Sequence, residues 1–349
     1  MAEKRFTILI CTRDRRDSLV RCLESLLPLC ADLKPEDWEV VVVDNGSTDQ
    51  TGEAAEKLAR EYPIELRVIN EPKMGVSFAR NTGLRVARGD FLVITDDDVT
   101  FAAGWPQAWA DVSADADVVA GAAPIEPVFP ETTESWFARD VLVEGAGPTA
   151  YYDAGRQELV SGPGVKFNLP YTANAGVRRS AALEVGGFRE DLGYRGQSGR
   201  RRMACEDTDF FERIEATGGK IVYTPHARVF HHLNEDQATV DYYRRWHRGY
   251  GTAMERMGRT IPLFVMRPRW SSKRSNTWPT AFVYVCLMAQ GIFAPTESRL
   301  KPWVVSRNSW AGDPHYAGWS LPSRRFSDAT ASVWGVCGNR SIGRTLSTS

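Results

Sequence analysis

Three consecutive carboxylates, Asp96-Asp97-Asp98, follow a run of apolar and β-branched residues at positions 91–95. That run has the composition of a strand buried on both faces, so the acids stand at its carboxyl end. Adjacent like charges repel, and a single buried, unpaired carboxylate is already strongly unfavourable. A fold that gathers three of them either leaves them in water or neutralises them with a cation. The first alternative is a solvated acidic turn in which Asp98 caps a short helix. The second is a metal site, and it is favoured because ligands of open α/β sheets bind beyond the carboxyl ends of the strands. Two further groups could do chemistry. Glu206-Asp207 opens an amphipathic pattern carried by Phe210, Phe211 and Ile214, and His231-His232 closes a β-like stretch over residues 221–232. A carboxylate at a helix N-terminus is stabilised as the anion by the helix dipole, so a capping acid competes with an acid–base role there.

The elements that must position these groups alternate. Residues 6–11, 39–43 and 66–69 read as buried strands. Helical spacing follows the first through Leu19, Cys22, Leu23, Leu26 and Leu27, with Asp17 or Ser18 as cap and Pro28 as limit. A second helix runs through Ala54, Ala55, Leu58 and Ala59, capped from Ser47, Thr48 or Asp49, and residues 75–86 make a third. Strand followed by helix, repeated up to the acidic strand, implies an α/β fold with parallel strands and right-handed crossovers. Each strand ends in polar or acidic residues, which defines one functional edge. No GxGxxG opens the first helix and no GxxxxGK[ST] occurs, which removes most support for a dinucleotide site or a P-loop.

Hydrophobic content of 43% and charged content of 25% suit an ordinary soluble protein. The net charge of −1 hides an asymmetry: residues 244–349 carry sixteen Lys+Arg against four Asp+Glu, leaving an acidic body. The six cysteines (11, 22, 30, 205, 286 and 337) form no CxxC pair, so reduced thiols are expected, with neither a disulfide framework nor a zinc site. The chain enters its first strand at Phe6 without a signal-peptide core, and a cytoplasmic location is expected.

The order of motifs is specific. Thr7-Ile8-Leu9-Ile10-Cys11-Thr12-Arg13-Asp14-Arg15 is followed by Val42-Val43-Asp44-Asn45-Gly46-Ser47-Thr48-Asp49, by Gly75-Val76-Ser77-Phe78-Ala79-Arg80-Asn81-Thr82-Gly83 and by the acidic triplet. Ala173-Asn174-Ala175-Gly176-Val177-Arg178-Arg179, Gly186-Gly187-Phe188 and Cys205-Glu206-Asp207-Thr208-Asp209-Phe210-Phe211-Glu212-Arg213 come later. In this order, over residues 6–232, they resemble an inverting family 2 glycosyltransferase of GT-A fold. The resemblance implies a nucleotide-binding α/β sandwich with a mostly parallel central sheet, to which this chain adds a basic C-terminal extension. It implies a nucleotide-diphosphate sugar donor, a hydroxyl-bearing acceptor, Mg²⁺ or Mn²⁺, and displacement with inversion at the anomeric carbon. A hard cation held by carboxylates and phosphate oxygens would stabilise the leaving diphosphate.

Carried over residue by residue, the resemblance makes Asp98 a metal ligand and sets Asp96 on the ribose or assisting the metal. Alternation along an extended segment points Asp97 the opposite way, as a structural acid within the donor site. His231 reaches the metal or pyrophosphate. Thr12, Arg13, Asp44 and Arg80 contact the nucleotide or pyrophosphate, Asp44 being equally suited to capping the next helix. Asp207 is the expected base, with Glu206 orienting it or binding acceptor, and Asn174 meets the acceptor or donor sugar. The organisation expected is a catalytic domain over residues 1–243, with a nucleotide-sugar half (1–100) and an acceptor half (101–243). Residues 244–349 form the basic aromatic extension, irregular in part. Its segment 242–274 suggests peripheral contact with anionic membrane at the inner face rather than nucleic acid. The apolar stretch 281–294 is short of the roughly 20 residues that span a bilayer. The alternatives are a nucleotidyltransferase, which would need a Gly-rich basic loop early in the chain, and a non-catalytic nucleotide- or carbohydrate-binding module.

Overall fold

The apolar runs become four parallel strands of an eight-stranded sheet in a computed structural model. It describes residues 4–259 apart from 31–32, 35, 63, 134–146, 163–164, 166 and 196–203. The nucleotide-side elements are β1 (Lys4–Thr12), α1 (Arg16–Leu26), β2 (Trp38–Asp44), α2 (Thr51–Ala59), β3 (Leu66–Asn70), α3 (Val76–Val86) and β4 (Gly89–Asp96). There follow β5 (Val99–Phe101), α4 (Trp105–Ala114), β6 (Val118–Ala122), β7 (Ile125–Val128), β8 (Leu159–Val160) and β9 (Asn174–Arg178). The last described elements are α5 (Arg179–Glu184), α6 (Glu206–Glu215), β10 (Lys220–Tyr223), β11 (Val229–His232) and α7 (Val240–Arg256).

The large sheet runs in the order β3-β2-β1-β4-β9-β6-β10-β8. It is parallel from β3 to β4, and β9 lies antiparallel between β4 and β6. A smaller sheet, β5-β11-β7, has β11 antiparallel to β5 and parallel to β7. Register does the positioning. Thr12 stands opposite Asp44, Cys11 opposite Asp96 and Asp44 opposite Asn70, so the polar strand ends lie along one edge. In the small sheet His231 pairs with Val99, and the His232 amide donates to the Asp98 carbonyl at 2.8 Å. That pairing brings the histidine strand to the acidic turn.

Both faces of the parallel strands are covered, which explains their unbroken apolar runs. Ile8, Ile10, Val40, Val42, Phe91 and Val93 share one core with Leu19, Leu23, Trp105 and Trp109. Leu9, Val41, Val43, Leu92 and Ile94 face the other way, onto Ala79, Leu84, Phe210 and Phe211. The alternation is the two-residue period of a strand, and each such buried side chain contributes roughly 1.5–3 kcal/mol. Helix α3 lies close on β1 because residue 83 is glycine: a Cβ there would come within 2.3 Å of the Leu9 side chain. This approach lodges Arg80, one turn earlier, at the functional edge.

Several local expectations are corrected. Helix α1 begins at Arg16 and has no side-chain cap; Ser18 instead donates its hydroxyl to the Asp97 carbonyl at 3.0 Å. Asp49 accepts from the Thr51 amide at 3.1 Å, but the N-cap position of α2 is Gln50, in the left-handed region at φ 64°. The boundary at 243/244 falls inside α7, whose Ala253 and Met254 join a buried cluster with Leu192 and Cys205. Cys11, Cys22, Cys30 and Cys205 are free thiols. Among the described residues no helix is long and apolar enough to cross a membrane. Cys286, Cys337, the basic segment beyond 259, the apolar stretch 281–294 and the expected irregular tail lie outside the described residues.

Candidate functional site

The strand ends, the β4–β5 turn, α6 and α7 enclose a cavity of about 550 Å³. At one end lies the acidic triplet. Asp96 closes β4, whereas Asp97 and Asp98 form the turn into β5, so strand alternation stops at Asp96. Asp97 and Asp98 therefore reach the same cation: Arg15 Nη1 is 2.8 Å from Asp97 Oδ1 and 2.7 Å from Asp98 Oδ2. Thr12 donates its hydroxyl to Asp97 Oδ2 at 2.6 Å. Both oxygens of Asp97 are thereby engaged, and the Thr12 hydroxyl holds this acid from the cavity wall. Asp98 keeps one buried oxygen, Oδ1, without a close hydrogen-bond partner among the described residues. It lies 3.3 Å from His231 Nε2, an ion-pair distance.

The imidazole is oriented from behind, with Nδ1 2.8 Å from the Thr149 carbonyl. A carbonyl only accepts, so Nδ1 carries the proton and Nε2 is aimed at Asp98. Burial disfavours charge on His231, but Asp98 and the Thr149 carbonyl prevail and push its pKa up to about 9. For Asp98, burial is likewise outweighed, by His231 and Arg15, and its pKa falls below the usual carboxylate range. Burial leads at Asp97, pushing it up to about 6 against the pull of Arg15. His232 turns away, with Nε2 2.8 Å from the Thr100 hydroxyl.

Arg80 joins this end of the cavity to the next. Its side chain is almost wholly buried, with Nη1 2.7 Å from Glu206 Oε1 and Nη2 3.5 Å from Asp96 Oδ1. Arg80 thus bridges two acids at the cavity wall. Asp207, the next residue on α6, makes no cap across the first turn; its Oδ1 accepts only from the adjoining Thr208 amide at 2.8 Å. Burial, then the Glu206 charge, push the Asp207 carboxyl up to about 7, against the pull of Arg80. A carboxylate with that pKa beside an open cavity is suited to proton transfer at neutral pH.

Part of the lining is aromatic. Tyr171, Trp246 and Tyr250 line it, and the Trp246 and Tyr250 rings stack with centroids 5.4 Å apart at 15°. Gly147 lets the indole approach, since a Cβ there would meet it at 2.3 Å. Burial, then the charge of Asp207, raise the Tyr171 phenol to about 12, an electrostatic sign of its nearness to that carboxylate.

Of the expected site residues, Thr12, Arg13, Arg80, Asp96, Asp97, Asp98, Glu206, Asp207 and His231 all line this cavity. Arg13 has a buried Nη1 without a hydrogen-bond partner among the described residues, which suits an anionic ligand. Asp44 and Asn174 do not line it. Asp44 closes its own turn by accepting from the Ser47 amide at 2.8 Å, and the neighbouring Asn45 takes the wall position. Asn174 is buried in the core. Its Oδ1 accepts from Trp105 and Trp109, and its Nδ2 donates to the carbonyls of Pro124 and Ala227, which leaves no free donor or acceptor position for a sugar. Arg15, Tyr171, Trp246 and Tyr250 were not among the expected residues. The need of three adjacent acids for a cation was a signal for Arg15; the aromatics of α7 carried only an amphipathic pattern.

Comparison with known proteins gives a consistent result. The model of the family described as glycosyl transferase family 2 matches residues 7–184. The succinoglycan biosynthesis protein ExoM of Rhizobium meliloti is 28% identical over 232 residues, covering 66% of this chain and 68% of that protein. A glucosyl-dolichyl phosphate glucuronosyltransferase of Haloferax volcanii is 24% identical over 251 residues, 70% of this chain and 75% of its own. Among solved structures, a mannosyltransferase from Pyrobaculum calidifontis in complex with GDP-Man and Mn²⁺ superposes with a TM-score of 0.51. It is 22% identical, and the match covers 74% of this chain and 65% of that one.

Proposed function

Because the chain belongs to glycosyl transferase family 2, we propose that it transfers a sugar from a nucleotide-diphosphate sugar to an acceptor hydroxyl, with inversion and with the help of Mg²⁺ or Mn²⁺. Family membership removes the nucleotidyltransferase alternative. The observation that carries the reading is one cavity lined by an acidic turn, a carboxyl group near neutral pKa and aromatic rings. The reactants meet where Asp207 stands. As the carboxylate it takes the proton of the acceptor hydroxyl while that oxygen bonds to the anomeric carbon. The bond from that carbon to the diphosphate breaks, and its electron pair leaves with the nucleotide. Glu206, held by Arg80 at 2.7 Å, is engaged as an ion pair and holds Asp207 in a negative field.

Asp98 and His231 would hold the cation, with Asp96 beside them. Asp98 Oδ1, without a hydrogen-bond partner among the described residues, fits such an ion once His231 gives up its Nε2 proton, as a histidine ligand must. Among the described residues no three His, Cys, Asp or Glu side chains form a closed metal cluster. That suits an ion bound through one or two carboxylates together with substrate phosphates. When bound, it offsets the negative charge that develops on the leaving diphosphate. Arg13 is placed to meet the nucleotide. The GDP-Man and Mn²⁺ bound by the Pyrobaculum enzyme are in keeping with this donor and cation class. The deciding experiment is a screen of nucleotide-sugars for hydrolysis with and without Mn²⁺. Cation-dependent cleavage of at least one donor is expected; no cleavage of any would overturn the proposal.

The acceptor belongs at the aromatic part of the lining, where its hydroxyl reaches Asp207. Trp246→Ala removes a large apolar contact, roughly 1.5–3 kcal/mol, so acceptor KM is expected to rise about 10–100-fold. Donor hydrolysis in the absence of acceptor should be unchanged, and an unaltered acceptor KM would remove this ring from the subsite. Peripheral contact with an anionic membrane would draw on the exposed basic residues of α7, such as Arg248, and not on its aromatic rings. Tyr242 and Tyr243 are buried, and Trp246 and Tyr250 turn into the cavity. Salt-sensitive co-sedimentation with anionic but not neutral vesicles is expected; equal partitioning to both would end that part of the reading.

A further inference from the structure

The acidic turn already has a cation of its own. Arg15 touches both Asp97 and Asp98 through one nitrogen, and the turn that delivers it is fixed on both sides. The Arg15 amide donates to the Thr51 hydroxyl at 3.2 Å. Asp14, in the left-handed region at φ 50°, accepts from the Thr48 amide at 2.8 Å, and its own amide donates to the Ser47 hydroxyl at 2.9 Å. The two carboxylates that share Arg15 are not equivalent. Both oxygens of Asp97 are engaged, one by Arg15 and one by Thr12. Asp98 has Oδ2 on Arg15 and Oδ1 without a close hydrogen-bond partner among the described residues. The Arg15 side chain is 39% exposed and lines the cavity, with only Nη1 engaged by the two carboxylates.

We propose that Arg15 is a resident counter-cation that competes with the divalent ion for Asp98 and thereby couples entry of the ion to arrival of a diphosphate. Asp97 is the tether: the guanidinium keeps Asp97 while Asp98 passes from Arg15 to the incoming ion. A divalent cation approaching alone meets a like charge and must displace a charge-assisted hydrogen bond. A diphosphate reverses the balance, because it supplies negative charge for both cations and acceptor oxygens for the donors that Arg15 releases. Arg15 is a positioning residue in this scheme and touches no reacting atom.

The inference rests on the metal reading of Asp98 above, and calorimetry on the full chain separates the two. Mn²⁺ is titrated alone and in the presence of uridine or guanosine diphosphate, into the wild type, Arg15→Met and Arg15→Lys. Removing the competitor is expected to tighten binding of Mn²⁺ alone about 10–100-fold in Arg15→Met, the factor one hydrogen bond to a charged group is worth. Arg15→Lys keeps the charge and should stay within a few-fold of wild type. With diphosphate present, the advantage of Arg15→Met should shrink or reverse, since the wild-type guanidinium then assists. If Arg15→Met binds Mn²⁺ alone no more tightly than wild type, the inference fails and the metal site stands. Should Arg15→Met not fold, Arg15→Lys decides alone: Mn²⁺ binding tightened as if the charge had gone overturns the competition. If diphosphate binds but Mn²⁺ does not, in any protein, the metal reading fails and takes the inference with it.

Discussion

Asp207→Asn is expected to lower transfer turnover about 10²–10⁴-fold, the usual contribution of a general base, with donor and cation affinity near wild type. The substitution keeps the shape of the side chain, and an amide oxygen can still accept from the Thr208 amide as Asp207 Oδ1 does at 2.8 Å. What it cannot do is take the acceptor's proton. A purely structural acid at the start of α6 makes the opposite demand: stability falls by roughly 1 kcal/mol or less and turnover survives. The pH profile adds a second readout. Burial and the adjoining Glu206 charge hold the Asp207 pKa at about 7, and the carboxylate form is the active one. The rate should therefore rise with pH through neutrality and level off above it. Glu206→Gln removes the neighbouring charge and frees Arg80 from that ion pair, which strengthens its pull on Asp207. Both changes lower the Asp207 pKa, so the acid limb should move to lower pH. Nearly full transfer by Asp207→Asn, with activity lost in Glu206→Gln, would shift the base to Glu206. Activity in both variants would remove the base from this helix.

Asp98→Asn is expected to abolish most cation-dependent nucleotide binding while leaving the fold in place. Its carbonyl still accepts from the His232 amide, and an amide oxygen can still accept from Arg15. The lost negative charge is what the ion needs. Loss of an outer-shell partner of a metal ligand typically costs about 10–100-fold in affinity, and loss of the ligand itself should exceed that. Titration of uridine or guanosine diphosphate with and without Mn²⁺ measures it directly. An unchanged dependence on the cation would return Asp98 to the role of an acid neutralised by Arg15 and His231. His231→Ala in the same titration separates the second ligand from the first, since it leaves the carboxylate intact.

The glycosyltransferase fold and the chemically active part of the cavity wall were legible in the sequence, for physical reasons that differ from element to element. Strands β1, β2 and β4 are covered on both faces, so they appear as unbroken β-branched and apolar runs whose ends are unambiguous. Asp96, Asp98 and Asp207 stand at element ends, where a local pattern suffices to locate them. Cap positions were less legible: Asp17 and Ser18 are good cap residues by type, yet α1 begins before them because the turn at residues 13–15 is tied to α2 and its approach.

From its own order of residues the sequence determined that three acids stand at the carboxyl end of a buried strand, that a second acid pair opens a later helix, and that a histidine strand follows. Tertiary structure decided what those groups touch. Alternation assigned Asp97 and Asp98 to opposite sides, but the chain turns between β4 and β5, and both close on Arg15 across 82 and 83 positions of sequence. Asn174 sits in a motif that suggested a sugar contact, and only the packing of Trp105 and Trp109 around it places its amide in the core. Trp246 and Tyr250 read as part of a basic aromatic surface, and only the docking of α7 beside Gly147 turns them into the cavity. In each case the deciding interaction joins residues far apart in the chain. Its strength depends on register and close approach, which a local pattern of residue types does not encode.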